Sequence, residues 1–456
     1  MTSRHTFRAA GAALAASLAA AACSKDPVLV GTTAPAAAPF MARYVAIGNS
    51  ITAGYQSGGI NDSTQRRSFA RMLAIAAGAT FRYPSFTRPG CPPPIVNFIT
   101  GARDSVAAHT DSTTCALRDP ASATASLNNV AVPGANSWDA VGRGLTATTT
   151  TPASLTTGGY NPLTALILGG QTQLQRAVQL DPTFATVWIG NNDVLAGALQ
   201  SAGDSTKATN VANFVSNYST LVNGLTNGSP HLKGGVLIGV VDVTNTPLLV
   251  PFYVFNPNVP GSSTAAYQAV LGVFGVGTKR PATFRLNFNG NCTTSQAAIP
   301  FPALVKLNAV IPAAAPSFTI DCTGATPLNP AAAASATTNP PQTAFFVTDA
   351  ERTFYVNRVA AYNAYIKAKA DSLGWIYLDP NTLLGQLRQQ GAIPLFPNLA
   401  NPTAPFATAA GRYITNDGVH PSTSAHFVIA NALIAAINAK YGSTIRTLTP
   451  ADTTGL

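Results

Sequence analysis

Five short apolar runs of strand length recur along the 456-residue chain, separated by stretches with helical periodicity. The runs are Tyr44-Val45-Ala46-Ile47, Val130-Ala131-Val132, Phe184–Ile189, Val236–Val241 and Trp375–Leu378. The helical stretches are Ser68–Ala77, Leu163–Leu180, Val211–Leu225, Ala350–Leu373 and Ala425–Tyr441. Strands that alternate with helices predict an α/β fold whose parallel sheet is covered on both faces. In such sheets the reactive side chains collect beyond the carboxyl ends of the strands.

Two parts break the alternation. Residues 84–127 are loop-rich and carry Cys91 and Cys115. Residues 246–346 hold Pro251-Phe252-Tyr253-Val254-Phe255, Cys292, Cys322 and a Pro/Ala/Thr-rich run ending Asn339-Pro340-Pro341. A structureless loop of that length is improbable inside a compact domain. It reads as a disulfide-pinned insertion capping or flanking the site, its aromatics packed in a small core of their own. The length allows one large domain or two or three ordinary ones. With no internal repeat evident, we expect one domain over 43–443, interrupted at about 246–346, and a tail over 444–456.

Three strand ends carry chemistry. Gly48-Asn49-Ser50-Ile51-Thr52 sets a hydroxyl at a helix N-terminus, where free N–H groups favour developing negative charge. Gly190-Asn191-Asn192-Asp193 offers an amide that can reach an oxyanion, and Gly134 has no side chain to block its N–H. Alone each is ambiguous: Ser50 suits a plain helix cap, Asn192 a capping turn, Gly134 a strand-ending turn. The fourth element is Asp417-Gly418-Val419-His420, before the last helix. Asp-x-x-His lets the carboxylate accept from Nδ1 while Nε2 faces Ser50, the arrangement that activates a serine nucleophile. His5 lies in the leader, while His109 and His231 sit in polar loops without an adjacent carboxylate. His426, inside the last helix, reads as structural. Tyr55 and the Gly58-Gly59 loop are expected to border the pocket.

The G-x-S-x-G elbow of α/β-hydrolases is unmatched, since Thr52 stands where its last glycine belongs. Taken together in this order, the four blocks resemble the SGNH (GDSL-type) hydrolase family over about 43–245 and 348–441. The resemblance implies a flavodoxin-like three-layer α/β/α sandwich with strand order 2-1-3-4-5. It implies Ser50 as nucleophile, His420 as base and Asp417 as its orienter. Ser50 N–H, Gly134 N–H and the Asn192 amide would form the oxyanion hole. Asn49 stands where the family's usual motif has Asp, beside the nucleophile and outside the triad.

Composition and the N-terminus narrow the setting. Charged residues make up 10% of the chain against about 25% in an average soluble domain, and hydrophobic residues 46%. The net charge of +10 comes from scarcity of acids, with basic residues scattered singly apart from Arg66-Arg67. That is no footprint for nucleic acid. No His/Cys/Glu cluster has metal-ligand spacing, so neither metal nor cofactor is expected. Arg4, His5 and Arg8 precede an apolar run, Ala9–Ala22, too short to span a bilayer. Residues 1–23 therefore read as a signal peptide, cut after small residues or at Cys23 as a lipobox, followed by a flexible tether over 24–42. Five cysteines leave one over in an oxidising compartment, and lipidation of Cys23 accounts for it. The other four would pair as Cys91–Cys115 and Cys292–Cys322, among three connectivities. Either cleavage predicts an exported protein, anchored to a membrane through Cys23 or secreted. The expected function is hydrolysis of carboxylic esters, small or carried by lipid or glycan. The alternatives are a carbohydrate O-acetylesterase and a non-catalytic surface-binding lipoprotein.

Overall fold

Four of the five apolar runs pair in one parallel sheet: β1 (Tyr44–Gly48), β2 (Phe184–Trp188), β3 (Gly234–Ile238) and β4 (Ile376–Leu378), in that spatial order. This computed structural model describes residues 39–104, 118–119, 122, 126–142, 161, 163–200, 204–329, 340–399 and 411–454. The register sets Gly48 opposite Trp188, Val187 opposite Leu237 and Ile238 opposite Leu378, which levels the four carboxyl ends on one rim. The fifth run lies along the free side of β1. Val130 N donates to Ala46 O at 3.0 Å and Val132 N to Gly48 O at 3.2 Å. With it, the strands numbered along the chain stand in the order 2-1-3-4-5. Its pairing is too short to make a regular strand, with one parallel bridge, Ala46 to Asn129.

The flanking helices are α1 (Ser50–Ala53), α2 (Phe69–Ala76), α3 (Val211–Gly228), α4 (Asp349–Leu373) and α5 (Thr423–Tyr441). Side chains alternate across a strand. Val45, Ile47, Val187 and Leu237 accordingly pack with Phe214, Tyr218, Tyr355 and Tyr362 of α3 and α4. Tyr44, Ala46, Trp188 and Ile238 pack on the other face with Phe69, Leu73, Ala430 and Leu433 of α2 and α5. Ser68, Asn210, Thr348 and Ser422 cap α2, α3, α4 and α5, each accepting a first-turn N–H. Such a cap is worth about 1 kcal/mol. The stretch Leu163–Leu180, expected as one helix, is two: Leu163–Leu168 and Gln173–Gln179. Gly169 and Gly170 both take positive φ, which a right-handed helix cannot continue through, and Thr172 caps the second piece.

The insertion builds two small sheets. Leu249–Pro251 pairs antiparallel with Ala298–Pro300, and Arg285–Phe288 parallel with Ser317–Ile320. A Cys292–Cys322 disulfide ties the ends of the second pair. Phe252 and Phe255 are fully buried in the insertion's own core, edge-on to Phe288. Cys91 is buried and disulfide-bonded, whereas Cys115 and His109 lie outside the described residues. So do the leader, Cys23, most of the tether and residues 330–339.

Two expectations change. His231 does meet a carboxylate: its Nδ1 lies 2.6 Å from Asp181 Oδ2, far along the chain, at an exposed site. The tail is part of the domain. Ile445 and Leu448 are buried in the core beside α5, where Asn438 and Asn431 exchange hydrogen bonds with their backbones.

Candidate active site

β1 ends where two backbones crowd together. A Cβ at Gly48 would stand 2.3 Å from Thr52 Oγ1 and 2.8 Å from Trp188 O, so only glycine fits. Gly48 N donates to the buried Gln173 Oε1 at 2.9 Å, which holds the turn from behind. Asn49 caps α1 through Oδ1 and Ile51 N at 3.2 Å, and Ser50 opens the helix. The α5 end of the chain supplies the rest. His420 Nε2 is 2.8 Å from Ser50 Oγ, and His420 Nδ1 is 2.7 Å from Asp417 Oδ2.

Asp417 is closely held. Its Oδ1 accepts from His420 N at 2.8 Å, Val419 N at 2.9 Å and Thr415 Oγ1 at 3.0 Å, and its Oδ2 accepts from Gly58 N. Burial pushes its carboxyl up, but the His420 charge and these donors outweigh burial and hold it well below the usual carboxylate range. An ionised Asp417 can only accept, so Nδ1 carries the proton of the neutral ring and Nε2 is left bare towards Ser50.

Two of the expected oxyanion donors, Gly134 and Asn192, lie on neighbouring turns. Gly134, φ +79°, forms the exposed turn after the outer run. Asn192 follows β2, and its Nδ2 donates to Ala135 O at 2.8 Å, which lays the amide against that turn. The profile of the GDSL-like Lipase/Acylhydrolase family matches residues 44–433, a span that takes in Ser50, Gly134, Asn192, Asp417 and His420. The chain belongs to the GDSL-like lipase/acylhydrolase family. Membership makes the fold the SGNH α/β type and the protein a hydrolase of ester bonds. No curated protein matches the chain.

In this GDSL-like hydrolase the tetrapeptide at the candidate nucleophile reads Gly48-Asn49-Ser50-Ile51. The cap needs only an oxygen at residue 49, which amide and carboxylate both supply. Asn49 Nδ2 is buried with no hydrogen-bond partner among the described residues, an uncompensated polar group beside the nucleophile.

Tyr55 and the Gly58-Gly59 loop, expected to border the pocket, do not line the cavity beside Ser50; Tyr55 and Gly58 stand behind the triad. The Tyr55 ring packs on His420 with centroids 4.9 Å apart. Its hydroxyl and Arg103 Nη1 both donate to Gly58 O at 2.7 Å, fixing the peptide whose N–H reaches Asp417. Burial, then the Asp417 charge, pushes the Tyr55 phenol up to about 12, so it stays a donor.

Sequence reasoning passed over Asp193. It is fully buried, with Oδ2 accepting from Ser137 N at 2.8 Å and Oδ1 from Ser137 Oγ at 2.6 Å. It therefore clamps the turn that bears Gly134 onto the loop that bears Asn192. Burial pushes its carboxyl up to about 6 against the pull of the Ser137 bonds. Its signal was an acid directly after Asn192, in a chain with only 17 acids. His426 is buried as a strut: Nδ1 accepts from Phe69 N at 3.2 Å, joining α5 to α2. Burial, helped by the His420 charge, lowers it to about 3 and keeps it neutral. Among the described residues no three His, Cys, Asp or Glu side chains gather to hold a metal ion.

Proposed function

We propose that the protein hydrolyses carboxylic esters through an acyl-enzyme on Ser50. The observation that carries this reading is the unbroken chain Ser50 Oγ–His420–Asp417, with links of 2.8 and 2.7 Å. Ser50 Oγ attacks the ester carbonyl carbon while its proton passes to His420 Nε2. Ionised Asp417 stabilises the imidazolium that results. The tetrahedral oxyanion is held by Ser50 N–H, Gly134 N–H and Asn192 Nδ2, then collapses as His420 returns the proton to the leaving alcohol. Water, deprotonated by the same nitrogen, attacks the acyl-serine and releases the acid. An alkyl ester suits the site better than a sugar acetate, because the cavity at Ser50 has mainly aliphatic walls. The test is turnover of p-nitrophenyl esters by the protein and by Ser50→Ala. Equal rates from the two folded proteins would sink the reading.

The same reading places the enzyme outside the cytoplasm. Its support is the leader pattern, Arg4 and Arg8 before Ala9–Ala22, together with the Cys292–Cys322 disulfide, which persists in oxidising compartments. Anchoring at Cys23 predicts that Cys23→Ser moves the enzyme from the membrane fraction to the soluble one. Unchanged fractionation of the full chain removes the anchor.

A further inference from the structure

We infer that Arg103 is a positioning residue for the triad: it holds Gly58, and through Gly58 it keeps Asp417 in line with His420. The inference rests on the ester-hydrolase reading above and adds to it a residue that lies in none of the four motif blocks.

The acid of the triad sits on a turn, Thr415–His420, that belongs to no strand or helix. Four hydrogen bonds tie this turn to chain far away in sequence. Ser57 N donates to Thr415 Oγ1 at 2.9 Å, Asn416 N to Ser57 Oγ at 3.3 Å, Asn416 Nδ2 to Ile95 O at 3.3 Å, and Gly58 N to Asp417 Oδ2. The support is therefore the Ser57–Gly59 turn together with the hairpin 94–104. In that hairpin Ile95 faces Arg103, held by Val96 N to Ala102 O at 2.7 Å and Asp104 N to Pro94 O at 2.9 Å. Ile95 N also donates to Ser57 O at 2.6 Å. A Cβ at Gly59 would stand 2.4 Å from Pro94 N, so turn and hairpin meet backbone to backbone.

Arg103 closes this contact from the hairpin side. Its Nη1 has two N–H groups, and it donates to Gly58 O at 2.7 Å and to Pro93 O. It makes no ion pair among the described residues. Its charge strengthens the bonds to the two carbonyls, since hydrogen bonds from an ionised donor are about twice as strong as neutral ones. Tyr55 hydroxyl grips the same Gly58 oxygen, while its ring packs on His420. Gly58 has φ +65° and no side chain, so its orientation depends on what holds its carbonyl. Its N–H faces Asp417 Oδ2, the oxygen that also accepts from His420 Nδ1. Once Gly58 is released, Oδ2 can leave the line that runs through His420 to Ser50. A displacement of about 1 Å at a reacting group costs about 10²-fold in rate. Asp417 Oδ1 keeps its own three donors, so the loss here is partial, about 10- to 100-fold.

The experiment is a double-mutant cycle on p-nitrophenyl butyrate hydrolysis, with Arg103→Met, Arg103→Lys, Asp417→Asn and Arg103→Met/Asp417→Asn beside the parent. Arg103→Met should lower kcat about 10- to 100-fold with KM nearly unchanged. Arg103→Lys should recover most of that loss, because an ammonium also donates to both carbonyls. On the Asp417→Asn background, where Gly58 N–H has no carboxylate to hold, Arg103→Met should change kcat less than about threefold. Equal losses on both backgrounds mark a brace of the fold alone and overturn the proposal, as do an unchanged kcat or a loss confined to KM. If Arg103→Met does not fold, Arg103→Gln, too short to bridge both carbonyls, takes its place in the cycle. No ester turned over by the parent brings down the hydrolase reading instead. The positioning role is then judged by proton NMR, on the far-downfield resonance of the His420 Nδ1 proton, identified by its absence from Asp417→Asn. Loss or broadening of that resonance in folded Arg103→Met upholds the role. A resonance that is the same in both proteins, or absent from both, overturns it.

Discussion

Replacing Asp417 by asparagine perturbs both the fold and the chemistry of this hydrolase, and the structure separates the two effects. The new side-chain oxygen can keep the Oδ1 position, where His420 N, Val419 N and Thr415 Oγ1 donate. Its NH2 must then replace Oδ2, opposite Gly58 N–H and His420 Nδ1. An N–H facing Nδ1 makes that nitrogen the acceptor and puts the ring proton on Nε2, aimed at Ser50. The base is then in the wrong tautomer, and kcat should fall about 10⁴-fold, about 5 kcal/mol of barrier. Gly58 N–H loses its acceptor as well, for a stability loss of about 1–3 kcal/mol. The pH dependence has a definite sign. Asp417 is depressed in the folded state, so its stabilisation is present above the unfolded carboxyl value near 4 and lost as pH falls through the folded one. An amide does not titrate, so the stability gap between the parent and Asp417→Asn should narrow below about pH 4. The assay pairs p-nitrophenyl hexanoate kinetics at pH 8 with urea unfolding from pH 3 to 8. A variant that keeps more than a tenth of the parent kcat would refute the tautomer argument, and a gap independent of pH would refute the electrostatic one.

Other perturbations test other parts of the site. Asn192→Ala removes the proposed oxyanion donor and should cost about 10²–10³ in kcat with little change in KM; a change confined to KM contradicts the assignment. Asp193 is raised to about 6 by burial, so its ionisation destabilises the fold: stability should fall by about 3 kcal/mol between about pH 4 and pH 6. Asp193→Asn should lack that drop, and parallel pH profiles in urea unfolding would show that the carboxyl is not the cause. The Cys292–Cys322 bond closes a loop of sequence separation 30, so its double alanine variant should lose about 3–4 kcal/mol if the insertion unfolds with the domain. An unchanged Tm would mean that the insertion unfolds separately.

The legible parts of this protein share a physical origin. β1 to β4 and α3 to α5 were readable because a strand buried on both faces must be a continuous apolar run, and a helix over a sheet must repeat its apolar face. Ser50, Asn192, Asp417 and His420 were readable because a parallel sheet gathers its strand ends on one rim, so residues 370 apart in sequence can be placed together before any coordinates. The split at Gly169-Gly170 was missed because its apolar periodicity carries across the break, although the glycines were there to see. The tail was missed because Ile445 and Leu448 are too few to show a period.

What the sequence determined by itself was therefore the local and the repetitive: strand and helix identity, their order, and the four blocks at the rim. The tertiary structure decided how those blocks are supported and what space lies beside them. Gly58 N–H reaches Asp417 across 359 residues, and Asp193 reaches Ser137 across 56, with no periodicity in the chain to announce either contact. The cavity is likewise a property of two helices, α5 and Pro380–Gln389, whose separation neither segment encodes. The reason is physical: propensity and patterning act over a few residues, whereas a cavity and a second hydrogen-bond layer exist only when several elements have packed at once.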